Sequence, residues 1–395
     1  MSTPRTACIL GSTGSIGCST VDLMLAQREA WQVRTLVGGR NAERLAEQAI
    51  ALGARLAVIA DTDAHDLLRE RLTGTGIETA CGARAVIEAA AEPADWTMAA
   101  ITGAVGLAPT LAAIRRGQSV ALANKEALVC AGDVMLRAVD EARATLLPVD
   151  SEHNAIFQSM ADGNPVEKIV LTASGGPFRT ASRETMARAR VEDALKHPTW
   201  TMGAKITIDS ATLFNKGLEV IEAARLFGMD ESRIGVVVHP QSVVHGFVQY
   251  ADGSVIAQMG APDMRIPIAH CMAWPGRIAT SSRRLDLAEI GRLEFESPDD
   301  LRFPALRLAR ESLRAGGAAS AILSAANEVA VEAFLERRIG FLDIAEIVEA
   351  AMERLGAPPA DTLEAVNHWD TEARRVAGEE RDRRETRRAG VAVAS

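Results

Sequence analysis

The 395-residue chain is 48% hydrophobic and 24% charged, the ordinary composition of a soluble globular protein long enough for two or three domains. Its formal charge of −9 excludes general nucleic-acid binding, which calls for a basic stripe, and no run of about 18 apolar residues offers a membrane span. Five scattered cysteines, Cys8, Cys18, Cys81, Cys130 and Cys271, lack any C-x-x-C spacing and read as free thiols in a reducing cytoplasm.

The chain enters a short apolar run at residues 6–10 almost at once, without the basic start and long apolar core of a signal peptide. A Gly/Ser turn follows, then an amphipathic stretch over 20–27. Further buried strands are predicted at 33–37, 56–60, 96–101 and 119–123, with Ala/Leu-rich helical segments between them. Strand–helix alternation implies parallel βαβ units, so residues 1–150 read as a doubly wound, Rossmann-like domain. Residues 151–290 are less regular, with apolar runs at 169–172, 235–238 and 255–258 broken by Gly/Pro turns. They read as an α+β catalytic domain. Within it, the polar stretch 183–204 carries His197-Pro198 and Trp200 and reads as a flexible flap. A linker over 291–300 leads to a C-terminal helical bundle, 301–375. There Ile322, Ala326, Val329 and Ala333 share one helical face, and Ile344, Ile347, Val348 and Ala351 another. Asp343 with Glu346 suggests a capping box. The Arg- and Glu-dense residues 376–395 read as a disordered tail.

The first chemistry is Gly11-Ser12-Thr13-Gly14-Ser15-Ile16-Gly17, placed between a strand and a helix. A glycine-rich turn at a helix start turns backbone N–H groups and the helix dipole toward a pyrophosphate. The bland alternative is a tight βα turn with no ligand. The second strand ends Val37-Gly38-Gly39-Arg40-Asn41, where an NAD-binding fold places a carboxylate for the ribose hydroxyls. An arginine stands there instead, which favours NADPH, unless Arg40 is only a surface charge.

The run 146–149 ends in Asp150-Ser151-Glu152-His153-Asn154. Two carboxylates one residue apart at a strand end suit Mg²⁺ or Mn²⁺, although Asp and Glu also populate solvated turns. Asp209-Ser210-Ala211-Thr212 precedes a segment in which Asn215 and Glu219 lie four apart on one helical face with Lys216 beside them. Such a face suits a phosphorylated, hydroxylated substrate next to a metal, or else is a salt-bridged surface. Thr172-Ala173-Ser174-Gly175-Gly176-Pro177 offers a hydroxyl and backbone donors to phosphate. Asn124-Lys125-Glu126 follows a strand on the ligand side of a doubly wound sheet, which marks Lys125 as a substrate or cofactor contact. Of seven histidines, His197 alone is singled out, as a phosphate or substrate contact.

These motifs, together with Phe178, Trp200 and Met202-Gly203, resemble the 1-deoxy-D-xylulose 5-phosphate reductoisomerase family of the non-mevalonate isoprenoid pathway, over about residues 5–370. The resemblance implies contacts to NADPH from Thr13, Gly14, Ser15, Ile16, Gly39, Arg40, Asn41, Asn124, Glu126 and Gly203. It implies one Mg²⁺ or Mn²⁺ held by Asp150, Glu152 and Glu219, which with Lys125 form the catalytic set. Lys125, Ser151, Glu152, Ser174, His197, Trp200, Met202, Ser210, Asn215, Lys216 and Glu219 would meet the substrate, a small phosphorylated sugar, with Trp200 and Met202 on the flap. The family is homodimeric. Its reaction rearranges 1-deoxy-D-xylulose 5-phosphate to a branched aldehyde and reduces it to 2-C-methyl-D-erythritol 4-phosphate. Two other readings remain open: an NADP-linked dehydrogenase without rearrangement, and an NADPH-sensing scaffold without chemistry.

Overall fold

A computed structural model describes residues 3–161, 163–200 and 202–394, with side chains to residue 387. Thr201, inside the expected flap, and Ser395, at the end of the expected tail, lie outside the described residues. The chain divides into two units.

The first unit comprises residues 1–127, 133–154 and 263–283. It is built on seven strands: β1 (Arg5–Leu10), β2 (Trp31–Gly38), β3 (Leu56–Ile59), β4 (Glu78–Cys81), β5 (Trp96–Ala99), β6 (Ser119–Leu122) and β7 (Thr145–Pro148). Their order is β4-β3-β2-β1-β5-β6-β7 and every pairing is parallel. Strands covered on both faces read as continuous apolar runs, and Ala7, Ile9, Leu36, Val58, Met98 and Val120 are all at most 1% exposed. That is why six of the strands are legible in the sequence. Strand β4, with the sequence Glu-Thr-Ala-Cys, lies at the sheet edge and is only partly covered, so it carries no apolar run. The strand order reverses between β1 and β5, which makes the crevice beside β1 the ligand-binding switch point of a doubly wound sheet.

Residues 263–283, placed by the sequence in the central domain, cluster instead with this first unit. Their helix Arg265–Ala273 is tied there by Arg5 Nη1, which donates to the Met272 carbonyl at 2.9 Å, and by Trp96 Nε1, which donates to the Cys271 carbonyl at 3.0 Å.

The second unit comprises residues 128–132, 155–262 and 284–395. Its sheet holds β8 (Val166–Ala173), β9 (Ile234–Val238), β10 (Val244–Tyr250) and β11 (Val255–Met259) in the order β11-β10-β8-β9. Strands β8 and β9 are parallel and the other pairs antiparallel, an α+β arrangement. The parallel crossover from β8 to β9 carries the helices Ala204–Thr212 and Phe214–Leu226. The helices Ala305–Ala315, Ala319–Leu335, Asp343–Leu355 and Leu363–Ala394 complete the unit, so the predicted central and helical domains pack as one.

Three local expectations are corrected. Helix Ala319–Leu335 is covered nearly all round, and of the four residues assigned to its buried face Val329 is the one left half-buried. Asp343 makes no capping box: it stands inside the helix and accepts from the Gly340 N–H at 2.6 Å. The tail is helical, because Val376 and Ala377 are at most 1% exposed and the surrounding charges pair at helical spacing. Arg354 reaches Glu379 at 2.7 Å and Glu380 at 3.2 Å, and Arg384 reaches Glu380 at 3.0 Å.

Candidate active site

In the first unit the glycine loop is shaped by backbone crowding. Gly11 sits at φ +85°, and a Cβ there would lie 2.5 Å from the Ala100 carbonyl oxygen. A Cβ on Gly17 would lie 2.2 Å from the Gly11 carbonyl oxygen, so the helix can start this close beneath the loop only with glycine there. The N–H groups of Gly11 and Ser12 both donate to the Val37 carbonyl, at 2.9 and 2.8 Å, which fastens the loop to the end of β2. Gly14 is the N-cap of helix Ser15–Ala26. First-turn N–H groups have no intrahelical acceptor, so Ser15, Ile16 and Gly17 present donors and the positive dipole end together. Gly39, Arg40 and Asn41 follow β2 and are exposed. Asn41 Oδ1 accepts from the Arg44 N–H at 3.0 Å and caps helix Ala42–Leu52, so this side chain already has a structural task.

Asn124, at 1% exposure, is likewise engaged. Its Nδ2 donates to the Ile101 carbonyl at 2.6 Å, and its Oδ1 accepts from the Ala127 N–H at 3.1 Å. It thereby joins the loop after β5 to the start of helix Glu126–Ala142. Lys125 Nζ meets Asp150 Oδ2 at 2.9 Å, and both side chains are largely buried. Asp150 follows β7 and its carbonyl accepts from the Asn154 N–H at 2.8 Å, which starts helix Ser151–Ser159. Ser151 Oγ donates to Glu152 Oε2. Asp150, Ser151 and Glu152 therefore stand at a strand's carboxyl end on a helix's first turn. Asn154 fixes that turn by donating to the Pro148 carbonyl at 2.8 Å.

In the second unit β8 runs into Ser174-Gly175-Gly176, with both glycines at positive φ. A Cβ on Gly176 would lie 3.0 Å from Ala211 Cα and 3.0 Å from the Ser210 carbonyl oxygen, so this turn abuts helix Ala204–Thr212. Ser174 Oγ, Ser210 Oγ and His197 Nε2 form a triangle with sides of 2.9, 3.1 and 3.4 Å. Burial pushes the His197 pKa below its ordinary range. Its Nδ1 accepts from the Thr199 and Trp200 N–H groups at 3.2 and 2.9 Å, so the ring proton lies on Nε2 and points at the two hydroxyls. Three small donors thus converge on one point, as an anion pocket requires.

Helix Ala204–Thr212 ends at Leu213, a non-glycine residue at φ +63°, and helix Phe214–Leu226 begins at once. Asn215 Nδ2 and Lys216 Nζ each donate to one carboxylate oxygen of Glu219. Lys216 and Glu219 are 3% and 1% exposed, so the face is a desolvated polar cluster and not a salt-bridged surface. Trp200 and Met202 are half-buried, and the Trp200 ring lies 6.3 Å from that of His245.

Two groups escaped the sequence reading. His239 is fully buried, with Nδ1 2.8 Å from the Glu294 carbonyl oxygen and its ring stacked on Phe295 at 4.8 Å. Asn327, at 0% exposure, donates to Asp209 at 2.7 Å. A lone amide in an apolar helical stretch is the signal that would have pointed to Asn327.

Three family models match consecutive parts of the chain. They are 1-deoxy-D-xylulose 5-phosphate reductoisomerase over residues 7–132, its C-terminal domain over 146–227, and a DXP reductoisomerase C-terminal domain over 259–376. The chain is 66% identical over 378 residues to the 1-deoxy-D-xylulose 5-phosphate reductoisomerase of Gluconobacter oxydans, covering 95% of this chain and 93% of that protein. It is 57% identical to that of Rhodospirillum centenum, covering 95% and 94%. Among solved structures it is similar to the Zymomonas mobilis enzyme in complex with NADPH, with a TM-score of 0.92, 52% identity, and 96% and 99% of the two chains covered. It is also similar to a DOX-P reductoisomerase in complex with NADPH, fosmidomycin and magnesium, with a TM-score of 0.90, 40% identity, and 96% and 98% covered.

Proposed function

The chain belongs to the 1-deoxy-D-xylulose 5-phosphate reductoisomerase family, and from that premise we propose how its own residues carry the activity. It is an NADPH- and divalent-metal-dependent oxidoreductase that converts 1-deoxy-D-xylulose 5-phosphate to 2-C-methyl-D-erythritol 4-phosphate. The observation that supports the assignment of roles is the neutral donor triangle of Ser174, His197 and Ser210, with Ser210 on the helix that directly precedes the one carrying the buried carboxylate of Glu219.

NADPH fits the first unit, since a Cβ at Gly17 would obstruct the cradle beneath the loop. Thr13, Gly14, Ser15 and Ile16 take the pyrophosphate through backbone donors. Gly39, Arg40 and Asn41 receive the phosphorylated ribose, with Arg40 supplying the charge. Asn124 acts by fixing the loop after β5, and Glu126 and Gly203 complete the cofactor contacts. A hard divalent ion fits the oxygen donors of Asp150, Glu152 and Glu219. When bound, the ion polarises the substrate carbonyl and the nicotinamide supplies hydride.

Ser174, His197, Ser210, Asn215 and Lys216 hold the substrate phosphate. The lowered pKa of His197 keeps it a neutral hydrogen-bond donor at neutral pH. Phosphate binding away from the reacting carbons supplies the free energy that closes the 183–204 flap, and Trp200 and Met202 exclude water. Lys125 pairs with Asp150 and, with Ser151 and Glu152, orients the reacting hydroxyls. The active form is a cytoplasmic homodimer.

The test is NADPH oxidation with 1-deoxy-D-xylulose 5-phosphate and Mn²⁺, before and after EDTA. Turnover that stops with chelator supports the assignment. Saturable NADPH binding without turnover overturns the substrate, and turnover indifferent to chelator points to a dehydrogenase without rearrangement.

A further inference from the structure

Asp209 is 1% exposed, and its two oxygens have separate partners. Oδ1 accepts from Asn327 Nδ2 at 2.7 Å and Oδ2 meets Lys205 Nζ at 2.7 Å. Asn327 sits in the apolar helix Ala319–Leu335, and among the described residues its own Oδ1 has no hydrogen-bond partner. Stability alone is a poor reason for this arrangement. A buried carboxylate held by an amide and a half-exposed lysine gains little over apolar side chains of the same shape. Lys205, moreover, stands in the first turn of helix Ala204–Thr212, where a cation opposes the helix dipole. The orphaned Asn327 oxygen adds a further cost.

Geometry supplies the reason. Successive side chains on a helix point about 100° apart, so a fixed Asp209 fixes the direction of Ser210. Ser210 Oγ must reach His197 Nε2 at 3.1 Å while Gly176 abuts the Ser210 carbonyl. A small rotation of this short helix would break that contact and turn the Asp209 charge toward the pocket.

We propose that Asp209 and Asn327 are positioning residues whose hydrogen bond sets the rotation of helix Ala204–Thr212 and so aims Ser210 into the phosphate pocket. The proposal rests on the reading of Ser174, His197 and Ser210 as that pocket. It is tested in the full-length protein with Asn327→Leu, and with the exchanged pair Asp209→Asn plus Asn327→Asp, which keeps an amide-to-carboxylate hydrogen bond. The readouts are KM and kcat for 1-deoxy-D-xylulose 5-phosphate, NADPH affinity, and inorganic phosphate affinity by calorimetry.

Asn327→Leu is expected to raise KM and weaken phosphate binding about tenfold, the effect of losing one hydrogen bond to a charged group, with kcat and NADPH affinity unchanged. The exchanged pair is expected to recover most of the phosphate affinity. Unchanged phosphate affinity in Asn327→Leu, or a parallel fall in kcat and NADPH affinity, overturns the proposal. If Asn327→Leu does not fold, the exchanged pair decides: phosphate affinity near that of the natural chain supports the proposal, and its loss overturns it. A natural chain that binds phosphate but does not turn over the sugar phosphate would sink the substrate assignment, and the phosphate comparison would still judge the pair. Failure of the natural chain to bind phosphate overturns the pair's role.

Discussion

Gly17 leaves the glycine loop no room for a side chain. Backbone atoms occupy the place its Cβ would take, and backbone cannot swing away as a flexible side chain can. Gly17→Ala is therefore expected to weaken NADPH binding by roughly tenfold or more, read by fluorescence titration. Unaltered affinity would mean that the loop has another way to close. Glu219 poses a different constraint. It is almost wholly buried and accepts from both Asn215 and Lys216, so its charge is kept where water is scarce. Glu219→Gln nearly preserves the shape and removes the charge. Turnover with Mn²⁺ should fall about 100-fold or more while NADPH binding stays as it was. Retained turnover would remove Glu219 from the metal site.

Elements matter here as pedestals, and two of them can be tested by themselves. Helix Leu363–Ala394 buries Val366, Ala373, Val376 and Ala377 and pairs Glu379 and Glu380 with Arg354, Arg383 and Arg384. Truncation after residue 375 removes two buried apolar side chains and this charge network. It should cost about 2–3 kcal/mol in denaturant unfolding, and an unchanged midpoint would show the second half of the helix to be dispensable. Helix Arg265–Ala273 carries His270, whose ring lies 3.2 Å from Asn154 Nδ2. Burial, aided by the charge of Arg277, pushes its pKa down to about 4. A histidine depressed in the folded state is protonated first in the unfolded chain. Its contribution is intact above about pH 6.5 and is lost as pH falls from there toward 4, by about 3 kcal/mol at most. Thermal unfolding across that window should show the fall, and His270→Gln should flatten it.

At the scale of the whole molecule, none of the described helices is long and apolar enough to cross a membrane. The sheet of the second unit ends at β11, whose Val255 and Ile256 are 56% and 47% exposed. An apolar edge strand with unpaired backbone groups invites pairing with another chain, and this supports β11 as part of the proposed dimer contact. Ile256→Lys should shift the protein toward monomer in sedimentation velocity. A dimer that persists unchanged would place the interface elsewhere.

Sequence alone determined what depends on near neighbours. The glycine loop, the arginine after β2 and the alternation of strands and helices are local patterns, because backbone conformation and strand burial are written over a few residues. The Asn215–Glu219 face was legible for the same reason, since helical periodicity brings fourth neighbours together. Tertiary structure decided what depends on residues far apart in the chain. It moved residues 263–283 into the first unit, because Arg5 and Trp96 hold their backbone carbonyls. It packed the charged tail as a helix, because Arg354 of another helix meets its Glu379 and Glu380. It gave Asp209 its buried amide from a residue 118 positions away. Packing supplies those contacts, and no local pattern encodes them.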